Sequence, residues 1–310
     1  MHLVHAALLT LALPAAAQDL LLVPPLDCTL GEDCDIQQYV DADPGPGAAD
    51  FTGGPLSYDG HAGTDFRVAD LEAMAAGIPV RAPADGVVRG ARDGMADRAI
   101  ADRAEVEGRE CGNGVALDHG GGWVTQLCHM AEGSVTVAPG DRVAAGDVLG
   151  EVGLSGATQF PHVHLQVTRD GETVDPFVPG TGAAWAEPVP YAPGGLLGAG
   201  FADAVPEYDA VKAGTADASA LPLDAPALVL WGHAFGGRAG DEMRLTVIGP
   251  TGREVLATTV ALERTQAELF RAVGRRLRAA RWRGGDYVGT VELLRDGTVI
   301  DRVEARVTLG

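Results

Sequence analysis

PHVHLQV, the sequence of residues 161–167, alternates polar and apolar side chains. Because successive side chains of a β-strand point to opposite faces, a strand here places His162, His164 and Gln166 on one face and the valines and leucine on the other. Two imidazoles on one face need either solvent or a metal ion as a partner. The stretch therefore predicts a strand whose polar face is a candidate metal site, and a solvated surface is the alternative.

Similar short runs surround this strand from about residue 58 to residue 179. They are rich in Val, Leu and Ile, are separated by Gly, Pro and Asp, and lie at 78–80, 86–88, 114–117, 123–127 and 148–150. Closely spaced strands with turn signals between them predict an all-β fold of antiparallel strands. Residues 118–122 predict a hairpin turn between two of these strands, and residues 70–76 predict the one short helix of this region.

GHAGTDF, residues 60–66, supplies further candidate ligands. His61 and Asp65 stand four residues apart, but the two glycines disfavour a helix and predict a loop or a bent strand. Alone, such residues are usually only solvated. Together with His164 they offer three nitrogen or oxygen ligands and leave a fourth position open, which is what a catalytic zinc ion requires. A water molecule in that position would be activated by the metal for attack on an amide.

Four histidines remain outside this ligand set and the N-terminal segment. His162 and His129 could stand beside the activated water, where they would orient or deprotonate it and bind the oxyanion that develops on the carbonyl. His119, in the hairpin turn, is expected to be a surface or structural residue, and His233, far along the chain, is expected to have a structural role.

Three segments resemble the motifs of the lysostaphin-type (LytM-like) zinc endopeptidases, a family with the duplicated hybrid motif. These are GHAGTD at 60–65, LCHM at 127–130 and PHVHLQ at 161–166, and the segments at 77–88 and 137–150 resemble the family's core hairpin and a later turn. The resemblance covers residues 55–178. It implies one Zn²⁺ per chain on His61, Asp65 and His164, with His129 and His162 as the catalytic pair. It also implies a β-sheet groove and hydrolysis of peptidoglycan cross-bridge or stem peptides.

Two departures from the family pattern affect the groove rather than the ligands. Leu127 and Cys128 stand where an aromatic and a small residue are usual, and Leu165 and Gln166 stand where an aromatic residue and Glu are usual. Some members have lost ligands and only activate other cell-wall enzymes. None of the five positions is lost here, which favours an active enzyme. A catalytically silent regulator, its groove closed by residues 18–54, is the alternative.

A binding module is a third class of function to consider. The segment at 139–150 also resembles biotinyl and lipoyl carrier domains, which carry a modified lysine. Lys212 is the only lysine of the chain and lies far from that segment, so the carrier interpretation fails.

The length of 310 residues permits two domains. The predicted organisation is a signal peptide at 1–17, an N-terminal lead-in at 18–54, the zinc metallopeptidase domain at 55–179, a linker at 180–224 and a small immunoglobulin-like β-sandwich at 225–310. Residues 265–278 suit either a helix or a strand, and the pattern does not decide between them.

The N-terminus and the cysteines both indicate export. Residues 8–13 are apolar and 15–17 are alanines, as in a signal peptide, although no Lys or Arg precedes them; a buried N-terminal segment is the alternative. No segment is apolar over the ~20 residues that a transmembrane helix needs. Four cysteines indicate two disulfides rather than a structural zinc site, whose ligand spacing is narrower. Sequence proximity favours Cys28–Cys34 and Cys111–Cys128, and two other pairings are formally possible. We therefore expect an exported protein, periplasmic or secreted.

The formal net charge of −20 argues against nucleic acid as a partner and against electrostatic docking on an anionic membrane. The C-terminal domain is either a packing module or one that recruits cell wall or a partner protein. A basic run there could meet an anionic polymer or be a solvated face. It consists of Arg271, Arg275, Arg276, Arg278, Arg281 and Arg283.

Overall fold

The computed structural model describes residues 19–310. The predicted signal peptide therefore lies outside the described residues. Within them, no helix is both long enough and apolar enough to cross a membrane.

Strands dominate the described chain. In chain order, β1–β20 are Leu20–Leu22, Cys34–Gln38, Thr64–Val68, Pro79–Arg81, Gly86–Arg92, Asn113–Gly120, Trp123–Met130, Arg142–Val143, Val148–Glu151, His162–Arg169, Glu172–Thr173, Ala183–Trp185, Gly195–Ala202, Ala220–Leu221, Ala227–Gly237, Glu242–Ile248, Glu254–Ala261, Gln266–Arg276, Gly285–Arg295 and Thr298–Leu309. The helices are α1, Leu71–Ala75, and α2, Tyr208–Ala213, with a 3₁₀ turn at Arg103–Val106. The all-β prediction is confirmed.

One antiparallel sheet organises the N-terminal half, with the strand order β2-β3-β10-β7-β6-β5-β8 and β11 paired to β10. The apolar face of β10 is buried as its alternation predicts, since Val163, Leu165 and Val167 are each at most 2% exposed. They pack in one core with Phe66 of β3 and Leu127 of β7. This packing sets the register of β3, β10 and β7, and so decides which polar residues meet on the other face.

The turns and the short helix also form where the sequence predicts them. Asp70 caps α1 by accepting a hydrogen bond from the Ala73 backbone N–H at 2.8 Å. Strands β6 and β7 form the predicted hairpin through Gly121 and Gly122, whose φ angles of 60° and 85° suit a tight hairpin turn. Both predicted disulfides, Cys28–Cys34 and Cys111–Cys128, are present.

The segment at 18–54, predicted only as an N-terminal lead-in, contains two ordered strands within the described residues. Strand β2 pairs with β3 and extends the main sheet by one strand, and β1 pairs in parallel with β12. Two buried residues explain this, because Ile36 and Leu22 contribute to the N-terminal core. Alternation in so short a run is too weak to reveal a strand from the sequence.

Two further sheets, β13-β15-β18 and β14-β20-β19-β16-β17, enclose the C-terminal core. Residues 265–278, left undecided between helix and strand, contain β18. The segment at 180–224, predicted as a linker with one short ordered stretch, contains β12, β13, α2 and β14 and is therefore more ordered than predicted. Phe201 of β13 is fully buried in the C-terminal core, so this strand belongs to the second domain. Glycine and alanine, which dominate β13, carry little strand signal. The immunoglobulin-like type remains a prediction.

Candidate metal centre

Three adjacent strands or their ends carry the site. Strand β10 lies between β3 and β7, and His164 is directly opposite Asp65 on one side and Cys128 on the other. His61 stands in the loop that precedes β3, and His129 follows Cys128. The structure thus brings together all five residues that the sequence predicts for the site, from segments about 100 residues apart.

The three predicted ligands converge on one point. His61 Nε2 lies 3.2 Å from Asp65 Oδ1 and 3.2 Å from His164 Nδ1, and His164 Nδ1 lies 2.8 Å from Asp65 Oδ1. Ligand bonds of 2.0–2.1 Å around a tetrahedral zinc ion correspond to ligand separations of about 3.3 Å. The three atoms are therefore arranged as a small metal ion requires.

The ring orientation of His61 is fixed from outside the site. Its Nδ1 lies 2.6 Å from the backbone carbonyl oxygen of Tyr39, to which it donates its proton. The lone pair of Nε2 is then free and directed at Asp65 and His164. Such a carbonyl partner is the usual way in which a metal-binding histidine is held in one tautomer.

Asp65 is the electrostatic centre of the cluster. It is 3% exposed, and its ionisable neighbours within 4.0 Å, among residues 19–310, are His61, His162 and His164. Burial opposes its ionisation, but electrostatic attraction and hydrogen bonds from these histidines hold the pKa of Asp65 well below its usual range. Burial also opposes protonation of His61, yet Asp65 raises the pKa of His61. A buried carboxylate among imidazoles, without Lys or Arg, matches the donor set of a divalent cation site.

Gly63 explains why two glycines accompany the first motif. A Cβ atom at this position would lie 2.6 Å from Cε1 and Nε2 of His164 and 2.7 Å from the carbonyl oxygen of Leu165. Only glycine lets the chain between His61 and Asp65 pass this close to β10. Gly60, by contrast, is used for its left-handed conformation at φ 74°.

His129 has an unusual backbone held by its neighbours. Its φ is 66°, in the left-handed region that few residues other than glycine adopt. The disulfide from Cys128 to Cys111 and a 2.8 Å hydrogen bond from the His129 N–H to the Cys111 carbonyl oxygen anchor this turn of the chain. The strand pairing is irregular at the same place, between Asn113 and Val115. Strain of this kind is characteristic of functional sites.

The side chain of His129 is held as a neutral acceptor. Its Nδ1 donates to the Ser155 carbonyl oxygen at 2.7 Å, which leaves Nε2 without a proton. Burial, together with the neighbouring His162 and His164, lowers the pKa of His129 well below its usual value. The ring centroids of His129 and His162 are 4.7 Å apart. His129 can therefore accept a proton beside the metal position.

His162 is supported by a stack that crosses from one domain to the other. Its Nδ1 donates to the Phe160 carbonyl oxygen at 2.9 Å, and its ring lies 4.3 Å from the Phe160 ring, nearly parallel to it. The Arg67 guanidinium lies over the Phe160 ring, with its Cζ 5.1 Å from the ring centroid. Arg67 in turn lies 3.3 Å from the carboxylate of Glu268, which β18 of the C-terminal domain provides. The sequence does not reveal this link, since 201 positions separate its two charged residues.

The other two histidines have polar partners outside the ligand set. His119 lies within hydrogen-bond distance of the Asp85 carbonyl oxygen at 2.7 Å and of the Thr125 hydroxyl at 2.8 Å. His233 is 2% exposed and its Nε2 lies 2.9 Å from Glu268.

A groove passes over the site. On one side, an opening of about 540 Å³ reaches Asp65, His129 and His162. On the other, an opening of about 220 Å³ reaches His61, His129 and His164. Tyr58 and Arg103 line both. The candidate metal position thus lies between the two openings.

Residues 59–176 match peptidase family M23. Over 118 residues the chain is 31% identical to the DD-carboxypeptidase/endopeptidase Mpg of Neisseria meningitidis serogroup B and of Neisseria gonorrhoeae. The aligned part covers 37% of this chain and 22% of each relative, so the chain corresponds to only about a fifth of their length.

Solved structures to which part of this chain is similar include a zinc-containing peptidase from Vibrio cholerae and the catalytic domain of lysostaphin from Staphylococcus simulans. The first is 21% identical, with 52% of this chain and 39% of that chain covered and a TM-score of 0.33. The second is 23% identical, with 45% and 85% covered and a TM-score of 0.29. The match over residues 59–176 confirms the resemblance of the three motifs to peptidase family M23.

Proposed function

We propose that this protein is a zinc-dependent endopeptidase that hydrolyses peptide bonds of bacterial peptidoglycan after export to the periplasm or the cell exterior. One observation carries the proposal: the donor atoms of His61, Asp65 and His164 lie 2.8–3.2 Å apart at the floor of a groove. The family match and the relatives with DD-carboxypeptidase/endopeptidase activity in their names support the substrate class.

In this proposal His61, Asp65 and His164 hold the zinc ion. When bound, such an ion lowers the pKa of a coordinated water and polarises the substrate carbonyl. The protein fixes the ligands by the carbonyl of Tyr39 behind His61 and by the β3–β10 ladder. These contacts prepare the site before substrate binds, so little reorganisation is needed during the reaction.

His129 and His162 carry the proton transfers. Both donate Nδ1–H to backbone carbonyl oxygens, of Ser155 and Phe160, so both have an unprotonated Nε2 when neutral. Either Nε2 can accept the proton of the attacking water and then donate it to the leaving amine. Their fixed rings provide the orientation that makes this transfer efficient.

The test measures zinc content and digestion of purified sacculi for the wild type, His164→Ala and Asp65→Asn. His119→Ala is the matched control, because it removes a histidine whose partners lie away from the ligands. We expect one zinc ion per chain and released muropeptides for the wild type and the control, and neither for the two ligand variants. A wild type without zinc would contradict the metallopeptidase assignment.

A wild type that binds zinc and leaves sacculi intact would support the silent regulator instead. The groove favours the enzyme, because both openings reach histidines of the site. Gln37 and Gln38 of the lead-in line one of these openings. Mass spectrometry of the released peptides would identify the bond that is cut.

A further inference from the structure

The larger opening of the groove has a wall that the M23 domain does not supply. Tyr208 and Lys212 of α2 and Ala267 and Glu268 of β18 line it, opposite the face that carries Asp65, His129 and His162. These four residues follow the M23 match, which ends at residue 176. The second half of the chain therefore forms part of the groove itself.

Apart from two carboxylates that are engaged within the protein, the charged side chains lining this opening are positive. The lining carboxylates are both engaged, since Asp65 faces the histidines and Glu268 lies 3.3 Å from Arg67 and 2.9 Å from His233. The lining cations are Arg103 and Lys212. Such a surface is unusual for a chain with 43 acidic and 23 basic residues, in which Lys212 is the only lysine.

Neither cation is strongly paired. Among residues 19–310, no carboxylate lies within 4.0 Å of the Arg103 guanidinium. Lys212 Nζ lies 2.9 Å from Asp209 three residues earlier, but that carboxylate is 93% exposed. Exposed pairs of this kind contribute little and can be exchanged for a ligand.

Lys212 is also held in place by aromatic packing. Its Nζ lies 5.0 Å from the centroid of the Tyr208 ring, within the range of a cation–π contact. The Tyr208 ring stacks in turn on Phe270 of β18, with centroids 5.1 Å apart. Because α2 is fastened to the C-terminal sheet in this way, less conformational freedom is lost when the ammonium group binds an anion.

We propose that this opening contains a carboxylate-binding subsite, in which Lys212 of the wall and Arg103 of the M23 region bind a free carboxylate of the peptide substrate near the bond that is cut. The inference rests on the proposed function and names the substrate class more closely, as an acidic peptide. The volume of about 540 Å³ is in the range of ordinary ligand sites, whereas the opposite opening measures about 220 Å³. The acidic part of the peptide therefore occupies the half of the groove that faces α2.

The experiment uses two synthetic peptides that both contain the bond identified in sacculi digests and differ only in one group, a free carboxylate or its carboxamide. The full-length wild type is compared with Lys212→Gln, Arg103→Gln and Lys212→Arg. Arg253→Gln, which removes an exposed cation of the β16–β17 turn, is the control for net charge. Thermal unfolding verifies that each variant is folded.

A charge-assisted hydrogen bond corresponds to about a tenfold to hundredfold change in affinity. We expect Lys212→Gln and Arg103→Gln each to raise KM for the carboxylate peptide about tenfold and to change kcat little. KM for the carboxamide peptide should change less than twofold. Lys212→Arg should keep KM for the carboxylate peptide close to the wild-type value, and the control should resemble the wild type. Equal effects on both peptides, or none, would overturn the subsite.

A binding measurement separates this inference from the proposed function. Calorimetry with chelator-treated protein records binding of the same two peptides without cleavage. If no peptide is cut but the carboxylate peptide binds about tenfold more weakly to Lys212→Gln, the proposed reaction fails and the subsite stands. If the peptides are cut and neither binding nor KM distinguishes the variants, the subsite fails and the proposed reaction stands.

Discussion

Gly63→Ala is the smallest change that should dismantle the proposed zinc site without touching a ligand. The added Cβ would lie 2.6 Å from two ring atoms of His164 and 2.7 Å from the Leu165 carbonyl oxygen. Favourable carbon contacts begin near 3.5 Å, so the ring or the strand must move by almost 1 Å. The strand is held by its pairing with β3 and β7, and the ring is therefore the part that yields.

The expected size of the effect follows from this displacement. Metal sites tolerate ligand positions within about 0.2 Å, so a ring that moves by several times that distance loses its place in the ligand set. We expect zinc affinity to fall on the order of 100-fold, which is the upper range for changes next to a ligand. Overpacking should also lower the free energy of unfolding by about 1–3 kcal/mol.

Zinc affinity is measured by competition with a chromophoric chelator, and stability by denaturant unfolding of the chelator-treated protein. Gly90→Ala is the matched control, because a Cβ at Gly90 of β5 would meet no atom within 4 Å and its backbone is not in the left-handed region. It should change stability by less than about 0.5 kcal/mol and leave zinc binding intact. Wild-type zinc affinity and stability in Gly63→Ala would refute the reasoning.

Three further changes test the fold around the site. Glu268→Gln should lower the free energy of unfolding by about 3 kcal/mol in denaturant titrations, because the buried Arg67 guanidinium loses its carboxylate partner. Glu304→Gln, which removes one member of the exposed pair with Arg302, should lower it by less than about 1 kcal/mol. Burial raises the pKa of Asp35 to about 7, although the charge of Arg67 opposes this shift. The folded state therefore favours the protonated carboxyl, and the contribution of Asp35 to the free energy of unfolding falls as the pH rises from about 4 to 7. Asp35→Asn should therefore stabilise the protein above pH 7 by up to about 4 kcal/mol, with the gain vanishing towards pH 4, and a gain that grows on acidification would contradict this sign. Replacing Cys111 and Cys128, which are 17 residues apart, by serine should lower the free energy of unfolding by about 3 kcal/mol, and should lower kcat because His129 loses its anchor. Removing the Cys28–Cys34 disulfide should lower the free energy of unfolding by about 2 kcal/mol and leave kcat unchanged.

Local sequence patterns predict many of the elements and the candidate site residues. Period-two alternation at 161–167 predicts both the strand and the face that carries His162 and His164, because side-chain direction in a strand depends only on position. The hairpin at 118–122 and the disulfide between Cys111 and Cys128 follow from turn chemistry and proximity along the chain. These signals are local, so they survive without knowledge of the fold.

The tertiary structure alone decided how those residues are oriented and what surrounds them. The carbonyl oxygens of Tyr39 and Ser155 set the tautomers of His61 and His129, and a backbone carbonyl has no sequence signature. The contact between Arg67 and Glu268 joins residues 201 positions apart, and no periodicity predicts such a pair. The wall that α2 and β18 add to the groove is likewise a consequence of how two sheets pack, because packing depends on surfaces that form only after the strands have paired.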